Sequence, residues 1–151
     1  MDKSVKIILV IVGGVAALAV AVCIIVGIFV FSIVNKQKKA DYYTLGNDQI
    51  ASVKLAVGER NIVSVSTRTA NGVTTKEYEY KSSTSASDIE QYEAYLQEQE
   101  GFIITTLNDE KQIFLGKNSA DEGKILIVEI VDTHFGYILT IRKGEGGLEM
   151  K

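Results

Sequence analysis

Three side chains of the types that carry catalysis or bind metals lie close together in one short stretch of this sequence. His134 is the only histidine, Asp132 precedes it by two residues, and Glu129 lies three residues further back. A metal site needs three or four converging ligands, yet in a strand Glu129 and Asp132 would project to opposite faces. Acid–base chemistry near neutral pH would use His134 first, but no second catalytic group stands at motif spacing. We therefore predict a turn histidine, no metal or cofactor site and no enzyme activity.

A second group of functional interest is a row of acidic side chains on a predicted helix. The segment SSTSASDIEQYEAYLQEQEG predicts an amphipathic helix that begins with a capping box of Ser87 and Glu90 and ends at Gly101. Its apolar stripe consists of Ile89, Tyr92, Tyr95 and Leu96. Its other face carries Glu90, Glu93, Glu98 and Glu100. Of these, Glu90, Glu93 and Glu98 form a candidate interaction face, and an ordinary solvated face is the alternative.

The clearest structural signal is a hairpin centred on Asn71 and Gly72. These two residues separate two runs rich in β-branched residues. A two-residue type I′ loop needs positive φ at both positions, and it fixes the register of the two strands. The expected pairs are Ala70 with Val73, Ser66 with Glu77, Val65 with Tyr78, Ser64 with Glu79, and Val63 with Tyr80. Val63, Val65, Tyr78 and Tyr80 would then share one apolar face.

The remaining elements predict the fold class. IASVKLAV alternates apolar and polar residues, which predicts a strand with Ala51, Val53, Leu55 and Val57 on one face. FIITTL, QIFLG, KILIVEIV and YILTIRK predict four strands after the helix. KILIVEIV is apolar on both faces, so we expect it in the centre of the sheet with both faces covered. The order βββαββββ predicts an α+β fold in which a mainly antiparallel sheet packs on one helix. We expect this soluble domain to comprise residues 49–146, with a C-terminal tail of residues 147–151.

A long apolar run precedes this domain. Residues 7–34 carry no charge, and as a helix they would extend about 42 Å, more than the roughly 30 Å of hydrocarbon in a bilayer. They predict a transmembrane signal anchor between an N-terminal tail, 1–6, and a basic collar and linker, 35–48. The lipid bilayer is therefore a predicted partner. Gly13, Ala17 and Ala21 recur every four residues and form a candidate helix-packing face, although small residues are common in membrane helices in general.

Processing of the apolar run is the competing interpretation. Residues 17–19 and 19–21 have the small-x-small form of a signal-peptidase site, and Cys23 is a possible site of lipid attachment. Each would leave an apolar stretch as the new N-terminus, where such sites normally open onto polar chain. Retention as an anchor is therefore favoured.

The distribution of charge excludes one class of partner and leaves the orientation open. The net charge is −3, and residues 41–151 contain 11 basic against 18 acidic residues. Because the one lysine cluster adjoins the apolar run, nucleic-acid binding is not expected. Lys36, Lys38 and Lys39 after the run outnumber Lys3 and Lys6 before it, which favours a cytoplasmic domain by one charge. Long domains cross membranes largely regardless of charge, however.

A resemblance favours the other orientation. ADYYTLGNDQIASVKLAVGERNIVSVST, followed by NGVTTKEYEY, resembles small uncharacterised membrane-anchored proteins of Gram-positive bacteria. In those proteins a lysine-flanked N-terminal helix precedes an α+β domain outside the membrane. The resemblance extends over residues 1 to about 80 and brings no catalytic residues. It implies a single-pass protein of the cell membrane with an extracellular soluble domain.

Two classes of function remain open. In the first, the chain is a membrane-anchored, non-catalytic binding domain that recognises a partner through an edge strand or an exposed face. In the second, it is a small accessory subunit of a membrane complex that acts through its helix, with the soluble domain on either side of the membrane. Replacing the predicted transmembrane helix by polyleucine distinguishes the two. A binding domain would keep its function, whereas a subunit that acts through its helix would lose it.

Overall fold

The computed structural model describes residues 33–108 and 112–148. Residues from Lys36 onward belong to one compact unit. Its strands are β1 (Tyr42–Leu45), β2 (Asp48–Ala51), β3 (Asn61–Ala70), β4 (Val73–Lys81), β5 (Ile103–Asn108), β6 (Gln112–Asn118), β7 (Lys124–Thr133) and β8 (Gly136–Glu145). Its helices are the short α1 (Val53–Ala56) and the longer α2 (Ser85–Glu100), and residues 33–39 are also helical.

The predicted membrane span, residues 7–34, lies outside the described residues except for its last two positions. The candidate helix-packing face of Gly13, Ala17 and Ala21 lies outside them as well. In the described ranges, no helix has both the length and the apolar composition needed to cross a bilayer.

The domain has the predicted α+β class, with an antiparallel main sheet. Six strands lie in the order β3-β4-β8-β7-β6-β5, and β1 and β2 form a separate hairpin. KILIVEIV forms β7, an inner strand, as its apolar character predicted. The expected order βββαββββ is wrong before α2, because four strands and a short helix precede it.

The β3–β4 hairpin confirms most of the predicted register. Asn71 and Gly72 both have positive φ, 51° and 77°, as a type I′ loop requires. The pairs from Ala70–Val73 to Ser64–Glu79 are as expected. The pairing of Val63 with Tyr80 is wrong, because a bulge between Ile62 and Ser64 pairs Tyr80 with Ile62 instead. The extra residue leaves Val63 outside the apolar face, and 51% of it is exposed.

The predicted strand IASVKLAV is also wrong. Strand β2 ends at Ala51, and α1 follows because the Ser52 side chain caps it by accepting a hydrogen bond from the Leu55 backbone N–H at 3.3 Å. Val53 is then buried, whereas Leu55 is 39% exposed. Strand β1 lies within residues 35–48, which the sequence assigned to a collar and linker, so the folded domain begins by Tyr42.

Helix α2 has the predicted apolar stripe and C-terminal cap. Ile89, Tyr92 and Leu96 are buried, and Tyr95 is half-buried. Gly101 ends the helix in the left-handed conformation, at φ 74°. The predicted capping box is wrong, because the N-cap is Thr84, three residues before Ser87, and the helix begins at Ser85. The Ser87 hydroxyl instead accepts a hydrogen bond from Gln91.

The two faces of the main sheet have different surroundings. On the first, which we call the covered face, lie α2 and the β1–β2 hairpin, and they bury Tyr78, Leu139 and Val128 completely. On the second, the open face, the C-terminal segment lies over one end: Leu148 packs against Gly116 and exchanges two hydrogen bonds with Asn118. The expectation that both faces of β7 are covered is therefore met on one face only.

Candidate interaction surface

The three residues with catalytic or metal-binding potential do not form one site. Glu129 lies on the open face in register with Phe114 and Thr140, whereas Asp132 lies on the covered face in register with Tyr137. His134 is exposed in the β7–β8 turn, with its ring edge-on to that of Phe135 at 5.5 Å between centroids. Across residues 33–108 and 112–148, no three His, Cys, Asp or Glu side chains are grouped to hold a metal ion.

The most buried charged cluster joins the β1–β2 hairpin to the main sheet. The Lys143 ammonium lies 2.5 Å from Asp48 Oδ2, pairs with Asp121, and donates a hydrogen bond to the Leu45 carbonyl at 3.1 Å. Burial opposes ionisation of Asp48, but hydrogen bonds from the Ala120 N–H, Lys143 and a serine hydroxyl hold its pKa below the usual value. Because each charge has its partner in place, this cluster stabilises the hairpin and has no free group for catalysis.

A second ion pair fixes the start of α2. The Arg60 guanidinium donates two hydrogen bonds to Asp88, at 2.7 and 2.8 Å. Burial opposes the charge on Asp88, yet Arg60, Ser82 and Thr84 donate to its carboxylate and lower its pKa. The carboxylate is only 1% exposed, so it joins the residue that precedes β3 to α2 and offers no surface to a ligand.

Five of the seven tyrosines lie in the core of the covered face: Tyr43, Tyr78, Tyr80, Tyr92 and Tyr137. Burial raises the pKa of each, to about 12 for Tyr78. All five side chains are at most 4% exposed, and a general base has to reach its substrate. These tyrosines therefore have a packing role.

The candidate interaction face on α2 is divided by the fold. Glu90 and Glu93 line a shallow pocket of about 210 Å³ together with Asp132 and the apolar side chains of Ile113 and Ile130. Glu98 is exposed and is not among the residues lining that pocket. Glu93 accepts a hydrogen bond from the Gln97 side chain at 3.2 Å. The role of Glu90, Glu93 and Glu98 in binding stays a prediction.

The open face combines an ion pair with half-buried apolar side chains. Its centre contains an ion pair, with Arg142 Nη2 at 2.6 Å from Glu129 Oε2, and Gln112 donates to the other carboxylate oxygen at 2.5 Å. Around this pair lie half-buried apolar side chains: Val73, Phe114, Ile125, Ile127, Val131 and Ile138. Their register places Val131 and Ile138 on one side of the ion pair and Ile125, Ile127 and Val73 on the other, so the apolar surface is divided into two patches.

The most exposed apolar residue stands at one corner of this face. Phe135, in the β7–β8 turn, is 76% exposed, and Val63 on the β3 bulge is 51% exposed. They line a groove of about 480 Å³ with Thr133, Glu79 and Lys81, which we call the Phe135 groove. Tyr80 lines it as well, so the groove combines aromatic and aliphatic side chains with one charge of each sign. Such a surface is suited to binding an apolar side chain of another protein.

Tight packing of the backbone holds Phe135 in this position. Gly136 has φ 157°, and a Cβ there would lie 1.9 Å from the Tyr80 carbonyl oxygen. The Phe135 carbonyl accepts a hydrogen bond from the Ser82 N–H at 3.1 Å. The turn is therefore fixed to the end of β4 although its aromatic side chain projects into solvent.

The sequence analysis predicted neither the exposure of Phe135 nor that of Val63, which it placed on the apolar face of the hairpin. A signal for Phe135 was present, because a large aromatic stands beside a glycine in the short turn THFG. Val63 gave none, since its exposure depends on a bulge that the alternating pattern does not reveal.

Comparison with known proteins gives no family for this chain: no protein-family model, no curated protein and no solved structure matches it.

Proposed function

We propose that this chain is a membrane-anchored, non-catalytic binding domain that holds a protein partner through the Phe135 groove on the outer side of the cell membrane. The observation that carries the proposal is the 76% exposure of Phe135 beside the 51% exposure of Val63. An exposed aromatic in a fixed turn has little conformational entropy to lose on binding, which makes it a good anchor for an interface.

The state of the charged groups supports a binding role over a catalytic one. Lys143 and Asp88 are buried in ion pairs, and His134 is exposed in its turn with an aromatic neighbour. A general acid or base has to reach a substrate in a pocket with a second functional group. The Phe135 groove is lined by apolar side chains together with Glu79 and Lys81, which suits recognition of a side chain.

Attachment to the membrane is proposed from residues 7–34, and the outer location from the resemblance of the first 80 or so residues. Flotation of the full chain with vesicles on a density gradient tests the attachment. Protease added to intact cells, after removal of any wall, tests the location. Cleavage of the domain is expected there, and protection that ends only on lysis would place it in the cytoplasm.

The groove is tested with a photoreactive phenylalanine analogue at position 135 of the full chain in its own membranes. We expect one discrete protein adduct from position 135 and none from position 55, where Leu55 is 39% exposed in α1 and serves as the control. With that protein purified, Phe135→Ala should weaken binding about 30-fold, or about 2 kcal/mol.

Two further variants separate the candidate surfaces in the same binding assay. His134→Ala and Glu98→Lys should each change affinity less than about threefold, because neither side chain lines the Phe135 groove. A loss of binding in Glu98→Lys with unchanged binding in Phe135→Ala would move the interface to the acidic face of α2. A loss of biological function in His134→Ala alone, with the fold intact, would contradict the non-catalytic role.

A further inference from the structure

Strand β3 is an edge strand without the usual protection against pairing. It has 10 residues and pairs only with β4. Natural edge strands are commonly blocked by lysine, proline or inward-pointing charges. From Ser64 to Ala70 this strand contains one charged residue, Arg68, and neither lysine nor proline. Its single bulge lies at the other end, between Ile62 and Ser64, so Ser64 to Ala70 pair with β4 without interruption.

The hairpin geometry determines which backbone groups point away from β4. The two-residue loop closes on the pair Ala70–Val73, and hydrogen-bonded pairs then alternate with non-hydrogen-bonded pairs along the ladder. Ser66 therefore directs its N–H and C=O toward β4, whereas Val65 and Thr67 direct theirs outward. A second strand can pair with these outward groups and leave the β3–β4 ladder unchanged.

We propose that the second strand is β3 of another copy of this chain, antiparallel to the first and related to it by a two-fold axis at Ser66. In this register Val65 lies opposite the partner's Thr67 and forms hydrogen-bonded pairs with it on both sides of the axis. Both residues are β-branched, and such side chains favour cross-strand contact. The central pair, Ser66 with the partner's Ser66, is small and uncharged.

Charge complementarity favours a second copy as the occupant. Arg68 has no ion-pair partner among the described residues. In the proposed register it lies opposite the partner's Ser64, and Ser64 is the cross-strand neighbour of Glu79. Arg68 and the partner's Glu79 would then be two strand spacings apart, roughly 10 Å. The two long side chains can reach each other across the small Ser64 side chain between them. The two-fold axis forms this pair twice.

The two outer strands of the sheet differ in their capacity for this pairing. Strand β5 is six residues long, and its register shifts midway between Ile104 and Thr106. Strand β3 offers the longer uninterrupted ladder. Attachment to a membrane, as in the proposed function, would raise the effective concentration of the two copies. The inference of β3 pairing rests on the proposed function only for this increase in concentration.

The experiment uses the full chain with Cys23→Ala, which removes its only cysteine, reconstituted in phosphatidylcholine vesicles and also kept in detergent. Ser66→Cys should form an intermolecular disulfide under mild oxidation, because Cα atoms of a non-hydrogen-bonded antiparallel pair are about 4.5 Å apart. Thr67→Cys is the matched control, since Thr67 lies opposite the partner's Val65 and the two introduced cysteines are too far apart. We expect at least about tenfold more covalent dimer from Ser66→Cys.

Three variants, each added to Ser66→Cys, test the contacts. Thr67→Pro removes an outward N–H that β3–β4 pairing does not use, so it should reduce the covalent dimer about tenfold with an unchanged circular dichroism spectrum. Arg68→Glu should reduce it, and the charge exchange Arg68→Glu with Glu79→Arg should restore it.

Several outcomes would overturn the proposal: equal dimer from Ser66→Cys and Thr67→Cys, dimer unaffected by Thr67→Pro, or no dimer in vesicles to which the chain is bound. Loss of biological function in Thr67→Pro without any Ser66 disulfide would assign the edge to a strand of another protein. Vesicle flotation measures attachment separately. A chain that dimerises in detergent and fails to float would contradict the membrane proposal and leave the pairing supported.

Discussion

The covered and open faces of the same six-stranded sheet carry different side chains and have different physical roles. Leu139 and Ile138 are adjacent in β8, yet Leu139 is fully buried under α2 and the hairpin while Ile138 is half-buried on the open face. The exposure of the charged side chains differs as well. Lys143, on the covered face, is 7% exposed in its cluster, whereas the residue before it, Arg142, lies on the open face and is 41% exposed. Adjacent residues of one strand thus contribute to different properties of the domain.

The comparison separates the residues that stabilise the fold from those of the proposed binding surface. The free energy of folding comes mainly from burial on the covered face, because apolar transfer scales with the area removed from water. The open face has apolar side chains that retain contact with water, so further burial by a partner is still available there. Substitutions on the covered face should therefore change the free energy of unfolding, and substitutions on the open face should mainly change binding.

The largest effect is expected from Lys143→Met. This change leaves Asp48, 6% exposed, without its cation, and breaking one side of a buried ion pair costs about 3–5 kcal/mol. Lys54→Met is the matched control, because Lys54 and Asp41 are 32% and 55% exposed and such pairs contribute less than about 1 kcal/mol. Urea unfolding of both variants measures the difference, and equal losses would show that the cluster does not stabilise the hairpin.

A comparison of Leu139→Ala with Ile138→Ala tests the two faces directly. Leu139 is completely buried, and removing a large aliphatic side chain from a packed core costs about 3 kcal/mol. Ile138 is half-buried on the open face, so its truncation should cost about 1 kcal/mol. The midpoints and slopes of urea unfolding give both values. A loss from Ile138→Ala as large as that from Leu139→Ala would mean that the open face is part of the core.

Sequence reasoning located the elements whose signals are local and missed those that depend on tertiary contacts. The Asn71-Gly72 loop fixed the hairpin register because the turn needs particular backbone angles. The alternation in IASVKLAV was misleading, since the Ser52 cap and the burial of Val53 favour a helical turn there. The Lys143 cluster joins residues 22 to 98 positions apart, and no sequence period reveals such a contact.

The candidate site was predictable to a smaller extent than the fold. A binding role was inferred because catalytic groups do not converge, and an edge strand or an exposed face was the expected contact. The sequence directed attention to the acidic row on α2, because charge is visible in a sequence. The exposure of Phe135 is a property of the folded turn, where Gly136 packs against the Tyr80 carbonyl and leaves the neighbouring ring outside.

Unfolding at alkaline pH is expected to depend on the buried tyrosines of the covered face. An unfolded tyrosine ionises near pH 10, whereas burial raises the pKa of Tyr78 in the folded domain to about 12. Stability from this group is therefore complete below pH 10 and is lost as the pH rises from 10 to about 12, by about 3 kcal/mol. Tyr43, Tyr80, Tyr92 and Tyr137 have raised pKa values through burial and act in the same direction.

The measurement follows phenolate absorbance and far-ultraviolet circular dichroism over the same pH series. Most of the phenolate signal should appear together with the loss of secondary structure. Gradual ionisation of all seven tyrosines before any unfolding would show that the aromatic core admits water.

The smallest effects distinguish individual hydroxyl groups within the tyrosine core. The Tyr92 hydroxyl donates to the Ala51 carbonyl at 2.8 Å, whereas the Tyr78 hydroxyl is buried without a hydrogen-bond partner among the described residues. Tyr92→Phe leaves a buried carbonyl unpaired and should cost about 1 kcal/mol, whereas Tyr78→Phe removes a desolvated polar group and should stabilise by up to about 1 kcal/mol. Both variants lose one hydroxyl oxygen from a buried ring. If the covered face is dry, urea unfolding should give changes in the free energy of unfolding of opposite sign for the two. Destabilisation by both would indicate that water reaches the Tyr78 hydroxyl and that the covered face is less completely closed than its burial suggests.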